Sequence, residues 1–419
     1  MSWHQPLSSA VAANAMAMLD VEQAQQRITA LVPRLASERV PLGNAAGRVL
    51  AEDVVAARAL PGFDNSAMDG YAVRATDVPA NLPVVGVVAA GAAVHQLAPL
   101  AAGTAVQIFT GAPMPPGADA IVIVEDAVCE GTRVTLPAAV SGAHVRRAGE
   151  DIAVGHMAVA AGLRLRSGAI AMLAAQGCSE VAVHRRPRVA IIATGDELVA
   201  FDSALQPGDV VDSSAPMLAA QIVEAGGEPH YLGVVADEPA AVLETLQRAL
   251  QFDVVLTTGG VSAGERDYVR PALAAAGIEL DFWKVAMKPG KPFAFGRRLA
   301  APPTINRATM VFALPGNPVS SFIAFELFVR PALLAMQGAR SVARLAVPVV
   351  LVDGYRKAVG RAHYLRASLV RHGATLQAQI HAKQGSAMLS SVVECDALVE
   401  IPTDADVLAP GCTVNALLI

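Results

Sequence analysis

Charge is scarce in this 419-residue chain: Asp, Glu, Lys and Arg together make up 16%, against about 25% in ordinary soluble domains. That shortage excludes a highly charged disordered chain. No excess of basic residues exists either. Lys plus Arg number 32 against 37 Asp plus Glu, a net charge of −5, so a global basic footprint for DNA or RNA is absent. Cys129, Cys178, Cys395 and Cys412 are scattered, with no CxxC pair. They offer neither a zinc site nor a disulfide framework and fit a reducing cytoplasm. The N-terminus has no basic flank followed by an apolar run, so a secretory signal is not expected. Long uninterrupted apolar runs are missing too, although 53% of residues are hydrophobic. The longest uncharged stretch, 78–118, is broken by Pro79, Pro83, Pro99, Pro113, Pro115 and Pro116, whereas a spanning helix needs about 20 apolar residues in a row.

What is present divides along the chain. At about 150 residues per domain, the length corresponds to two or three domains. The first residues show no period and read as a mobile tail. Asp20 stands three before Gln23, a capping-box spacing, and Val21, Ala24, Ile28, Leu31 and Leu35 recur at helical intervals until Pro33 interferes. From about Ala51 to Ala139, short apolar runs alternate with Pro/Gly turns, as in a compact β-rich segment. Ser167 to Gln176 reads as a helix. From Arg188, strands and helices alternate to about Met336, which implies a doubly wound parallel sheet. After about Arg340 the period returns to two, as in a small β-barrel or sandwich.

Ligands of an open parallel sheet bind beyond the carboxyl ends of its strands. Four strands here end in polar loops: Thr194-Gly195-Asp196-Glu197, Ala236-Asp237-Glu238, Thr258-Gly259-Gly260-Val261-Ser262 with Asp267 beyond, and Leu314-Pro315-Gly316-Asn317-Pro318. Gly259 and Gly260 permit close backbone approach to a phosphate, with a helix start behind them; a tight turn that merely starts a helix explains one such pair equally well. Glu197, Asp237 and Asp267 along one edge would repel unless a cation or proton intervened, and Mg²⁺ suits oxygen ligands. Taken singly, Asp237 and Asp267 read as helix caps. Lys284 and Lys288, four apart, would share one side of a strand and could attract an anion; the plainer reading is a solvated loop. The stretch Pro61 to Tyr71 reads as an irregular, special loop, and Phe109 to Pro113 is similar.

Six segments in order resemble one family's signature set. They are Asp64-Asn65-Ser66-Ala67-Met68-Asp69-Gly70-Tyr71, Thr110-Gly111-Ala112-Pro113, Thr194-Gly195-Asp196-Glu197-Leu198, Gly259-Gly260-Val261-Ser262, Lys288-Pro289-Gly290-Lys291-Pro292 and Leu314-Pro315-Gly316-Asn317-Pro318. The chain is similar to the molybdopterin molybdenumtransferases of the MoeA type and to the carboxy-terminal domain of gephyrin. The resemblance runs from about Asp20 to the C-terminus and departs from the common pattern at Ser214 and Ala387. It implies an α/β plus β multidomain fold with four parts. A discontinuous linking domain takes 20–51 and 140–178, after a tail of 1–19. A β-rich inserted domain takes 52–139, an α/β domain similar to molybdopterin adenylyltransferase takes 179–337, and a C-terminal β-barrel-like domain takes 338–419.

The resemblance also implies an activity: molybdenum from molybdate is inserted into adenylylated molybdopterin, with release of AMP and a requirement for Mg²⁺. It implies a cytoplasmic homodimer, supplied by a molybdopterin adenylyltransferase, in which Asp69 and Thr110 of one subunit face Glu197, Asp237 and Asp267 of the other. Asp237 and Asp267 would hold the metal. Gly259, Gly260, Ser262, Lys284, Lys288, Pro315, Asn317, Pro318, Arg366 and Ser386 would face substrate. Two other functions remain in view, the adenylyltransferase itself and a non-catalytic scaffold of the gephyrin type. Val261-Ser262 stands where the adenylyltransferase has Thr-Gly, which argues against the first, and no partner-binding linker argues for the second.

Overall fold

The computed structural model describes residues 18–260, 269–299 and 308–419. The expected tail falls almost wholly outside that range, as do Ser262 and Asp267. The first helix, Val21–Leu31, opens with a capping box: the Gln23 amide donates to Asp20 Oδ1 at 2.8 Å, and the Asp20 amide donates to Gln23 Oε1 at 3.2 Å. It stops short of Leu35 because Val32, which precedes Pro33, must be extended (ψ 121°). Its buried face, Val21, Ala24 and Ile28, joins the core of the α/β block. By core membership this helix therefore belongs with the α/β block, although the sequence suggests the linking unit.

The linking unit is built from Ser37–Pro41 paired antiparallel with Glu180–His184, and from the helix Ser167–Ala175. Leu50, Leu173, Val181 and Val183 share its core. The strand that pairs with Ser37–Pro41 ends at His184, six residues beyond the boundary at 178 read from sequence.

The β-rich unit is a six-stranded sheet in the order Ala120–Ile123, Gly70–Val73, Ala105–Ile108, Ala80–Val88, Arg133–Leu136, Val128–Glu130. Alternation puts Tyr71 and Val73 in one core and Ala72 in another, so the sheet is covered on both faces. The 61–71 stretch is more regular than its composition suggests. Asn65–Ser66 pairs with Val145–Arg146, and Gly70 begins a strand hydrogen-bonded on both sides. Only glycine fits at position 70: a Cβ there would lie 2.1 Å from the Val122 carbonyl oxygen.

The α/β block holds six strands in the order Glu228–Val235, Arg188–Thr194, Val254–Thr258, Thr309–Leu314, Ala294–Arg298, Glu279–Trp283. The first four are parallel. Ala294–Arg298 runs antiparallel to both its neighbours, an addition to the parallel sheet expected from sequence. Helices cover both faces, with separate cores on each side.

Its last helical segment runs from Pro318 to Met336, long and apolar enough to cross a membrane, but it is 83% buried in the protein. It is a core helix. A π-helical turn occupies Phe325–Val329. The cause is Pro331, which has no N–H to offer the Leu327 carbonyl. Gln25 Nε2 from the first helix donates to that carbonyl at 2.9 Å instead. In the C-terminal unit, Ala362–His372, Thr375–Ile380, Ala346–Leu351, Thr413–Leu418 and Ala397–Ile401 close into a five-stranded barrel, because Ala362–His372 pairs with both Thr375–Ile380 and Ala397–Ile401.

Candidate active site

A cleft of about 670 Å³ lies at the carboxyl ends of the parallel strands. Glu197, Asp237, Gly259, Gly260, Pro315, Asn317 and Pro318 all line it. Four loops from four parallel strands thus converge there, as the strand-end rule requires.

The glycine pair is fixed by packing as much as by backbone angle. Gly259 has φ +88°, and a Cβ on it would lie 2.4 Å from the Thr194 carbonyl oxygen. Thr194 Oγ1 donates to the Thr258 carbonyl at 3.2 Å, which ties the two strand ends together. On the far side, the Gly259 amide donates to the Leu314 carbonyl at 3.3 Å. The Glu197 carboxylate folds back over Gly195, where a Cβ would come within 2.8 Å of its Oε2.

Asp237 is held from behind. Its amide donates to Asp196 Oδ1 at 2.9 Å. The cap position of the following helix, Pro239–Ala249, belongs to Glu238, whose side chain makes no capping bond. Asp237 therefore stands one residue before the cap position that its place before a helix suggests.

Asp212 lines the same cleft and is missing from the residues picked out by sequence. Its Oδ1 accepts from the amides of Ser214 and Ala215, and its Oδ2 accepts from the Tyr231 hydroxyl at 2.9 Å. Burial first, then the bond to Asp212, pushes the Tyr231 phenol well above its ordinary value. Ser214 is buried in the first turn of Ser214–Glu224 beside this carboxylate and contributes to the cleft wall. The signal for Asp212 was weak. It follows a two-residue ladder, Leu198–Val199 with Val210–Val211, too short to show any period.

The barrel closes one side. Asn317 Nδ2 donates to Ser386 Oγ at 3.1 Å, and the Val319 amide donates to the Ser386 carbonyl at 3.1 Å. Ala387 and Leu389 continue that wall. Arg366 stands behind it with 0% exposure. Its Nε donates to Ser391 Oγ at 3.1 Å and its NH2 to the Gly385 carbonyl at 3.2 Å. It supports the loop that carries Ser386 and does not open to the cleft.

The lysines are arranged differently from the expectation of one shared strand face. Lys284 follows the strand Glu279–Trp283 with φ +77°, a left-handed turn that ends the alternation. Lys288 sits in Met287–Lys288, a strand that pairs with the barrel at His363. Neither lines the cleft. Lys288, Lys357 and Arg361 instead surround His363. Burial first, then these cations, pushes its imidazole down to about 4.

Asp69 and Thr110 meet each other. Asp69 Oδ1 accepts from both the amide and the Oγ1 of Thr110, each at 2.7 Å. The backbone bond first and the hydroxyl second hold this carboxyl below its usual range. The pair is exposed, and it does not line the cleft of its own chain.

The cleft wall carries three carboxylates, Glu197, Asp212 and Asp237, and no Lys, Arg or His among the described residues. It also receives the starts of two helical segments, Ser214–Glu224 and Pro318–Ala324, whose dipoles favour negative charge. Fold and site together define a multidomain α/β protein with a cleft of small-molecule size at the strand edge, against a β-barrel. Comparisons with known proteins make this specific. Residues 19–177 match the MoeA N-terminal region (domain I and II), 190–335 a probable molybdopterin binding domain, and 348–419 the MoeA C-terminal region (domain IV). A molybdopterin molybdenumtransferase from Nostoc sp. is 41% identical over 74% of this chain and 72% of its own length. Molybdopterin molybdenumtransferase 2 of Mycobacterium tuberculosis is 36% identical over 94% of this chain and 98% of its own. The solved MoeA protein of Pyrococcus horikoshii superposes with a TM-score of 0.83 at 31% identity, covering 96% of this chain and 100% of that one. The chain belongs to the molybdopterin molybdenumtransferases, a family of transferase enzymes of molybdenum cofactor biosynthesis.

Proposed function

We propose that this chain inserts molybdenum from molybdate into adenylylated molybdopterin in the strand-edge cleft and releases AMP. The observation that carries the reading is the cleft wall itself: three carboxylates, two helix starts and a glycine pair, with no basic side chain in the lining. The glycine pair lets a phosphate approach the backbone closely, and the dipoles of the two helix starts favour its charge. The carboxylates, in contrast, repel an anion unless a cation stands between. Mg²⁺ is bound by one or two carboxylates together with substrate phosphate oxygens, and Glu197 and Asp237 present that donor set. Asp237 is the principal ligand in this reading, and Asp267 lies outside the described residues. When bound, the ion would neutralise phosphate charge and so ease attack on phosphorus.

The chain's own groups do the rest. Asp196 holds the Asp237 loop, and Asp212, pinned by Tyr231, shapes the opposite wall. Glu197 is placed to orient the water that adds to phosphorus. The bridging oxygen of the phosphoanhydride then departs with the second phosphate, and its cleavage makes metal insertion irreversible.

The active unit in this proposal is a homodimer. Asp69 and Thr110 are exposed away from their own cleft, and Phe63, Met68 and Phe109 beside them are 39%, 41% and 40% exposed. Large apolar side chains around a preorganised carboxylate suit a surface covered by a second copy. A cytoplasmic setting and supply of substrate by the adenylyltransferase complete the reading; the four cysteines are free.

The test is incubation with adenylylated molybdopterin, molybdate and Mg²⁺, with AMP and bound molybdenum quantified. AMP release that depends on molybdate and Mg²⁺ supports the proposal. Consumption of ATP with free molybdopterin instead would identify the adenylyltransferase. For the dimer, an Asp69→Ala chain mixed with an Asp237→Ala chain should recover activity above either parent, because one cleft is then intact. No recovery, or a solution mass equal to the 43.1 kDa chain with full activity, would overturn it.

A further inference from the structure

A second cleft, of about 750 Å³, lies where the linking unit, the last α/β helix and the barrel meet. It shares no lining residue with the active-site cleft. Five arginines line it: Arg164, Arg166, Arg330, Arg340 and Arg344. In a chain with so few charges, this concentration of guanidinium groups is costly to assemble, because like charges repel. We propose that this cleft is a binding site for a small phosphate-bearing molecule with an apolar body.

The arginines fall into two groups. Three are committed to the protein. Arg164 donates from NH2 to the Glu224 carbonyl at 2.8 Å and from Nε to the Gly47 carbonyl at 3.2 Å. Arg330 donates from NH1 to the Val342 carbonyl at 3.0 Å. Arg344 donates from Nε to Glu326 Oε2 at 2.8 Å. Arg166 and Arg340 are exposed, and their guanidinium groups make no hydrogen bond or ion pair among the described residues. The committed three form a fixed positive floor, and the other two stand beside it with their donor forks open.

Charge balance across the cleft is incomplete. The carboxylates within 4.0 Å of these guanidiniums, among the described residues, belong to Glu224 and Glu326 alone. Burial first, then Arg166, Arg344 and Arg186, lowers the proton affinity of Arg164. Burial first, then Arg344, does the same at Arg330. An added dianion would relieve this repulsion. Arginine forks match phosphate oxygens two at a time, with directions that a lone ammonium lacks.

The remaining walls indicate the rest of the ligand. Leu163 and Leu345 are 44% and 67% exposed at the edge of the cleft, and Leu334, Leu418 and Ile419 continue the apolar surface. The volume is that of a small-molecule pocket, which is about 300–1,000 Å³. A ligand seated here touches three units at once, so its binding free energy also holds those units together.

The experiment uses the full chain with 1-naphthyl phosphate as probe, followed by its fluorescence, and with pyrophosphate and inorganic phosphate as competitors. Expected are one saturable site per chain, tighter binding of the naphthyl ester than of inorganic phosphate, and displacement by pyrophosphate. The double variant Arg166→Ala/Arg340→Ala should keep its melting temperature and bind at least about tenfold more weakly, because two charge-assisted contacts are lost. Arg166→Lys/Arg340→Lys keeps the charge without the fork and should fall between. Asp237→Asn, in the other cleft, should leave this affinity unchanged. Wild-type affinity in the double alanine variant, or loss of the site in Asp237→Asn, would overturn the proposal. Equal affinity for the naphthyl ester and inorganic phosphate would overturn the apolar part of it.

Discussion

Replacing Gly259 by alanine tests whether the glycine loop is held by packing or merely by backbone angle. Two costs add. A non-glycine residue at φ +88° loses about 1–2 kcal/mol to the left-handed conformation. The new Cβ would also lie 2.4 Å from the Thr194 carbonyl oxygen and 2.9 Å from its Oγ1. Thr194 ends a strand that is paired on both sides, so it cannot move aside alone. Relief of such overpacking costs about 1–3 kcal/mol. The sum is about 2–5 kcal/mol, less than the stability of most domains, so the variant folds. Gly277 supplies the control, with φ +75° and nothing within 4 Å of its Cβ position. Gly277→Ala should lose the first term only. Hydrogen exchange of peptides covering 188–194, measured across a urea series, reads both. AMP release should fall in Gly259→Ala and persist in Gly277→Ala, because only the first shifts a loop that lines the cleft. If the two variants lose equal stability, the contact with Thr194 is not a real constraint.

Asp237→Asn should fold normally, because its amide still reaches Asp196 and the helix cap does not use its side chain. AMP release should be lost while substrate stays bound, and wild-type turnover would show the carboxylate to be structural. Lys284→Gly should raise stability by roughly 0.5–1 kcal/mol, since relief at φ +77° exceeds the entropy that glycine costs; a lower melting temperature would refute that account. For His363, the folded imidazole titrates at about 4, below the ordinary value of about 6.5. The unfolded chain therefore takes up the proton first. This contribution is complete above about pH 6.5 and is lost as pH falls towards 4, on the order of 2–3 kcal/mol. His363→Gln should flatten the pH dependence of the urea midpoint in that window, and an unchanged slope would count against it.

Much of the α/β block was legible because its strands are covered on both faces. Val189 to Thr194 and Thr309 to Leu314 are continuous buried runs, and such runs announce themselves without any period. The loops after them could be placed on one edge by the rule of parallel sheets alone. Two-residue ladders gave no such signal. Asn65–Ser66 against Val145–Arg146, and Leu198–Val199 against Val210–Val211, are fixed by tertiary contacts. The second of these brings Asp212 into the cleft, which is why that residue escaped notice. The lysine pair misled for the opposite reason. A spacing of four looked like one strand, but the left-handed turn at Lys284 separates the two side chains, and the barrel takes the strand that carries Lys288.

The distribution of charge explains why neither lysine is needed at the cleft wall. An anionic substrate could be held by basic side chains or by a cation on carboxylates, and a single wall cannot carry both unpaired sets without one cancelling the other. Here the wall holds Glu197, Asp212 and Asp237, while Lys288, Lys357 and Arg361 gather around His363 in the barrel. Arg366, fully buried behind the Ser386 loop, adds fixed positive charge without offering itself to the ligand. In the proposed mechanism, attraction from the barrel side would draw an anion towards the cleft, and the carboxylates would call for a cation once it arrives. That order would make binding tolerant of metal loss and chemistry intolerant of it. Substrate should therefore remain on the protein after chelation of Mg²⁺ even as AMP release stops.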